Sequence, residues 1–120
     1  MVYVLLGTGF EETEAIAPID LLRRAGVEVQ TVGLNGKIVY GGHGIGVAAD
    51  IAPDEMDLSV LDMIVLPGGL GGVASIRASK EAMDLIRFAY ENGKYTIASN
   101  GKYLKHKGKT AAVFLNILKL

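Results

Sequence analysis

A chain of 120 residues, half of them apolar and 16 of them glycine, is long enough for one real core and too apolar for a disordered segment. The absence of cysteine excludes disulfides, zinc–thiolate centres and any thiol chemistry carried by these residues. The net charge of −1 hides an asymmetry: six of the twelve cations (Lys94, Lys102, Lys105, Lys107, Lys109 and Lys119) and none of the thirteen acids fall at 94–120, which leaves −7 on residues 1–93. The basic end lacks the aromatic–basic interleaving that stacks bases, so it reads as a solvated segment and nucleic acid is not an expected partner. The N-terminus has no basic region before its apolar run, which stops at Gly7, so no signal peptide is expected. No apolar stretch reaches the ~18 residues of a membrane helix. These features fit a cytoplasmic protein.

In chain order, Val2 to Leu6 is a continuous apolar run and predicts a buried parallel strand. Thr13 is a plausible N-cap for a helix in which Ala15, Ile16, Ile19, Leu21, Leu22 and Ala25 recur at inward spacing. Pro18 is expected in its first turn, Arg23 and Arg24 in its last, and Gly26 after its end. Val27 to Val32 predicts a second strand, completing a βαβ unit. Asn35-Gly36 marks a tight turn, and Lys37 to Ala49 a small β excursion bent by Gly41, Gly42, Gly44 and Gly46. Pro53 to Ser59 reads as a loop or short helical turn, and Leu61 to Leu66 as the third core strand.

Pro67-Gly68-Gly69 ends that strand, with Gly71 and Gly72 extending the loop. Ser79 caps a second helix with Ala82, Met83, Leu85, Ile86, Phe88 and Ala89 inward and Gly93 after it. Tyr95 to Ala98 is a fourth strand, and beyond Ser99 the pattern degrades into a turn at Asn100-Gly101, a basic stretch 102–109, a candidate strand 110–114 and an apolar tail 115–120. Strands alternating with helices predict a doubly wound, mostly parallel α/β sheet with helices on both faces, as one domain over 1–120.

Two loops hold the candidate chemistry. Gly7-Thr8-Gly9 begins like a dinucleotide fingerprint, but Glu12 stands at the third glycine position and no acid follows the second strand to bind a ribose. Glu11, Glu12 and Glu14 lie at a helix N-terminus, where dipole compensation accounts for two of the three. One of them can point over the sheet edge as a general acid/base, its pKa raised by burial; spacing alone does not select which. Gly68-Gly69-Leu70-Gly71-Gly72 follows a strand at the carboxyl edge of the sheet, so its N–H groups either cradle an anion or merely turn the chain into a helix. His43 and His106 read as surface loop residues, no metal site is visible, and Ser99 has no positioned base to make it a nucleophile.

The combination Gly9-Phe10-Glu11-Glu12-Thr13-Glu14, Ile19-Asp20-Leu21-Leu22-Arg23-Arg24-Ala25-Gly26, Ala49-Asp50 and Leu66-Pro67-Gly68-Gly69 resembles the ThiJ/PfpI family. That family is the cysteine-dependent deglycase and glyoxalase group related to class I glutamine amidotransferases. The resemblance covers the first four-fifths of the chain. It implies a flavodoxin-like fold, a buried catalytic glutamate at Glu14 and an oxyanion-hole N–H at Gly69, with small aldehydes such as methylglyoxal, glycated amines or anions as ligands. It also implies a departure. The family's nucleophile elbow follows the strand equivalent to Tyr95–Ala98, where this chain reads Ser99-Asn100-Gly101-Lys102. Asn100 falls at the cysteine position in an ungapped alignment, and an alignment on Gly108-Lys109-Thr110 deletes the elbow. Residues 99–120 are thus divergent, with the C-terminal part of the family fold and its catalytic histidine missing. The expectation is a ThiJ/PfpI-like protein of impaired or lost catalysis, without a cofactor, forming a homo-oligomer, most simply a dimer.

Overall fold

The alternation of Val2, Val4 and Leu6 with Tyr3 and Leu5 gives the first strand two buried faces, and the rest of the fold is arranged to cover both. The computed structural model describes residues 1–98. Ser99, Asn100, His106 and the expected turn, strand and tail at 100–120 lie outside the described residues.

Four strands, β1 (Val2–Leu6), β2 (Val29–Gly33), β5 (Met63–Leu66) and β6 (Tyr95–Ala98), form one parallel sheet in the order β2-β1-β5-β6. β1 is central and buried along its whole length, as a continuous apolar run requires. One face packs Val2, Val4 and Leu6 with Phe10, Ala15 and Ile19, the latter two on α1 (Glu12–Arg24). The other packs Tyr3 and Leu5 with Ile76 of α2 (Leu70–Ala78) and Leu85 and Ala89 of α3 (Lys80–Glu91). This is the expected doubly wound α/β sheet with helices on both faces.

Several boundaries differ from expectation for physical reasons. Helical bonding in α1 starts at the Glu11 carbonyl, which accepts from the Ala15 N–H at 3.2 Å, so Thr13 lies inside the first turn and is not the cap. Pro18 accordingly falls in the second turn and has no N–H to offer the Glu14 carbonyl. Ile16 and Leu21 face outward, Leu21 at 56% exposure, because only one stripe of this helix meets the sheet. Met83 of α3 is likewise outward, while Ala82, Leu85 and Ala89 are buried. Ser79 does cap α3, its Oγ accepting from the Ala82 N–H at 3.2 Å.

The largest correction concerns the glycine-rich stretch. It is not an extended loop: Gly71 and Gly72 lie in the first turn of α2, a helix of its own that precedes α3. Glycine costs a helix about 1 kcal/mol relative to alanine, and close approach explains its use here. A β-carbon on Gly71 would stand 2.7 Å from the Thr8 carbonyl oxygen, and one on Gly72 2.9 Å from Phe10 Cα.

The excursion after β2 is an antiparallel hairpin of β3 (Ile38–Tyr40) and β4 (Gly46–Ala48), paired through Val39 and Val47. Val39 is buried against the α1 face, and Ile38 and Tyr40 point away from it. Single 3₁₀ turns at Pro53–Glu55 and Leu58–Val60 lead into β5. Asp50 ties this margin together. Its Oδ2 accepts from the Thr31 N–H at 2.8 Å and from the Arg23 guanidinium at 2.7 Å, joining the end of α1 to β2.

Candidate functional site

In this topology the chain leaves β1 toward β2 on one side and leaves β5 toward β6 on the other. The loops at the carboxyl ends of β1 and β5 therefore lie at a topological switch point, the place where open α/β sheets receive ligands. The first loop is Gly7 to Glu11 and the second is Pro67 to Gly69.

Hydrogen bonds join the two loops. The Glu11 N–H donates to the Gly68 carbonyl at 2.9 Å, and the Gly68 N–H donates to Glu14 Oε2 at 2.6 Å. Glu14 is half-buried on the first turn of α1 and reaches the Pro-Gly-Gly loop directly. Gly69 adopts φ 90°, and a β-carbon there would collide with the Gly9 carbonyl oxygen and stand 2.9 Å from the Glu11 nitrogen. Only glycine fits both the left-handed backbone and the space. Gly69 is also the N-cap of α2, whose first turn has no side-chain cap, so the positive end of that helix lies at this switch point. The structure thus brings Glu14 against the loop that contains Gly69, through the Gly68 N–H.

Full burial belongs to a different carboxylate. Glu12 is 5% exposed, and its Oε2 accepts from the backbone N–H groups of His43 and Ile45 at 2.8 and 3.3 Å. Burial pushes its pKa up, as expected of a covered carboxyl. The N–H groups of Ile45, His43 and Glu12 itself, with the His43 ring, together outweigh burial and hold it below the usual carboxylate range. Glu12 is thus held ionised and pins the hairpin turn, the opposite of a raised general acid. Gly41 makes room for it, since a β-carbon there would strike the Glu12 carboxyl.

His43 is exposed, as expected, but it is not isolated. Its Nδ1 lies 3.3 Å from Glu12 Oε1 and 3.8 Å from Glu11 Oε2. These three side chains offer ligand atoms within 4.8 Å of one another, a juxtaposition that sequence reasoning missed. Its one signal was a histidine set in the glycine run 41–44, which marks a turn where backbone approaches another element closely. With Glu12 Oε2 already committed to two N–H groups, hydrogen bonding accounts for the arrangement without an ion.

Comparison with known proteins places these loops in a family. The model of the DJ-1/PfpI family matches residues 1–101. The dj-1beta protein of Drosophila melanogaster is 38% identical over 97 residues, covering 80% of this chain and 51% of that protein. A deglycase of Thermococcus kodakarensis is 33% identical over 93 residues, covering 78% and 55% respectively. The crystal structure of Drosophila DJ-1beta superposes with a TM-score of 0.75 at 36% identity, over 81% of this chain and 53% of that one. The chain spans about half the length of these relatives. Among the described residues, no helix is long and apolar enough to cross a membrane. The sheet order, the acidic turn after β1 and the Pro-Gly-Gly loop after β5 agree with the sequence match over the same residues, and the chain belongs to the DJ-1/PfpI family.

Proposed function

We propose that this chain keeps the family's ligand-receiving crevice and has lost its thiol step, so that catalysis is impaired or absent and binding is the function that remains. One observation carries the reading. Glu14 stands 2.6 Å from the Gly68 N–H, beside the uncapped start of α2, in a chain of 120 residues without a cysteine. The ligand class is a small aldehyde or an anion. Gly69 offers an N–H to its oxygen and Glu14 serves as the proton-carrying group. A reaction that requires a thiolate has no nucleophile on these residues. No metal or organic cofactor is invoked.

The alternative is an active deglycase- or glyoxalase-like enzyme on methylglyoxal or glycated amines, built on Glu14 and the Pro-Gly-Gly loop. The hydrogen bond that orients Glu14 favours it, as does the likeness to a protein named as a deglycase. Methylglyoxal consumption by the purified chain, beside Glu14→Gln, decides between the two. Turnover that vanishes in the variant sinks the binding reading, and no turnover in either protein sinks the enzymatic one.

The same reading includes self-association as a dimer and a cytoplasmic location. Ile38, Tyr40 and Ile45, each more than half exposed around the hairpin, support the first. Sedimentation equilibrium tests it, and cell fractionation tests the second.

A further inference from the structure

Three metal-ligating side chains meet where the turn of the β3–β4 hairpin touches the start of α1. His43 Nδ1 lies 3.3 Å from Glu12 Oε1 and 3.8 Å from Glu11 Oε2, and the three groups offer atoms within 4.8 Å of one another. Two ligands bound at about 2.0–2.1 Å to a tetrahedral cation stand about 3.3 Å apart. The Nδ1–Oε1 pair already has that spacing. Glu11 is partly exposed, and a side-chain rotation brings its Oε2 closer.

The way Glu12 is held separates this group from a solvated acidic patch. Glu12 is buried, and its Oε2 is committed to the N–H groups of His43 and Ile45 at 2.8 and 3.3 Å. Its Oε1 is left facing the imidazole, and among the described residues no other side chain donates to it. The His43 backbone N–H is tied to the same carboxylate, so ring and Oε1 stay together with nothing bound between them. Gly41 keeps the space clear, since a β-carbon there would strike the Glu12 carboxyl. Hydrogen bonds that orient a ligating carboxylate in this way set the geometry of a metal centre from behind.

Charge and donor type narrow the occupant. Two carboxylates and a neutral imidazole carry a charge of about −2, which outweighs the roughly +0.5 of the helix N-terminus beside them. One nitrogen and two oxygens suit a borderline divalent cation such as zinc, whereas magnesium and calcium favour a shell of oxygens alone.

We propose that Glu11 Oε2, Glu12 Oε1 and His43 Nδ1 form a binding site for a divalent cation of the zinc class. The inference is independent of the ligand reading at Gly69. A carboxylate oxygen only accepts, so without a cation the contact with Oε1 favours a neutral ring protonated on Nδ1. The cation takes the place of that proton, which moves to Nε2 of a ring that is 75% exposed. Three protein ligands leave the fourth position to water. The bound cation fastens the hairpin turn to the first turn of α1.

The test is calorimetric titration of the full chain, without an affinity tag, with zinc and with magnesium, beside His43→Ala, Glu11→Gln and His106→Ala. The wild type is expected to bind one zinc per chain, at least about tenfold more tightly than magnesium. His43→Ala and Glu11→Gln should each weaken zinc binding at least about tenfold, since even an outer partner of a metal ligand is worth that much. His106→Ala should bind as the wild type does. His43→Ala keeps Glu12 and both backbone donors to it, and amide spectra verify the fold of every variant. Nitrogen-15 spectra of the wild type should show the His43 ring passing from Nδ1–H to Nε2–H as zinc saturates.

Absence of zinc binding at about 1 mM overturns the proposal. So does a His43→Ala or Glu11→Gln chain that binds zinc as tightly as the wild type, or binding that is lost in His106→Ala. These latter results mark an adventitious ion only.

Discussion

The Gly68 amide hydrogen points at Glu14 Oε2 across 2.6 Å, joining the first turn of α1 to the loop after β5. Two segments 54 residues apart in sequence are thus set against each other by a charged hydrogen bond in a half-buried place. Glu14→Ala removes the acceptor and is expected to lower stability by about 1–2 kcal/mol, the range of a bond to a charged group discounted for partial exposure. Glu14→Gln keeps an oxygen acceptor and should cost less. Urea unfolding of both variants, with hydrogen exchange at the Gly68 amide, checks the order.

Glycine substitutions at the seam between β1 and α2 are expected to oppose helix propensity. Gly71→Ala gains about 1 kcal/mol of propensity, yet its β-carbon would meet the Thr8 backbone oxygen at 2.7 Å, where nothing flexible can yield. It is therefore destabilising. Gly69→Ala combines φ 90° with a backbone collision and should cost about 1–3 kcal/mol or more. Gly93→Ala, at φ 64° with open space around it, should cost only about 1 kcal/mol and serves as the control. Thermal unfolding of the three variants ranks them.

Asp50 makes stability fall on acidification. Burial raises its pKa, but the Thr31 N–H and hydroxyl and the Arg23 guanidinium outweigh burial and hold it below its ordinary 3.8. Its folded value is lower than its unfolded one, so its contribution is complete above the unfolded pKa. The contribution is lost as pH falls through that value toward the folded one. Glu12 adds a loss of the same sign, starting from an ordinary value of 4.5. The wild type should destabilise progressively below about pH 5, and Asp50→Asn should flatten that slope while lowering stability at neutral pH. Denaturant midpoints measured across this range test both parts.

The Ser79 hydroxyl oxygen accepts from the Ala82 N–H and separates α2 from α3. Ser79→Ala should cost about 1 kcal/mol and raise hydrogen exchange in the first turn of α3 only. An effect that spreads to β5 would contradict a purely local cap.

The strands and the site loops were legible for one reason and the misread parts for another. β1 and β5 announce themselves because both of their faces are buried, and a doubly covered strand has nowhere to place a polar residue. The Pro-Gly-Gly loop and the acidic turn could be paired by their positions after those strands. α2 was hidden because Gly71 and Gly72 signal a loop by propensity, while their use here is contact with Thr8 and Phe10, residues more than 60 positions away. Glu12 and Glu14 lie two positions apart on one helical turn. Which of them is covered depends on the hairpin turn at 41–45, whose position against α1 is a tertiary outcome. The outward turn of Leu21 and Met83 has the same origin: apolar periodicity fixes a stripe, and the sheet decides how wide a stripe it covers.

The backbone-to-backbone seam formed by Gly9, Gly69, Gly71 and Gly72 has a consequence for how this edge of the sheet can change over evolutionary time. No side chain fits along it, so its floor is closed to substitution and behaves as a fixed plate. Variation at this edge of the sheet must then be written on its neighbours. Leu70 stands exposed beside the seam, and Gly42 of the β3–β4 hairpin turn approaches Gly9. The seam itself admits only glycine, and those neighbours are where change is tolerated.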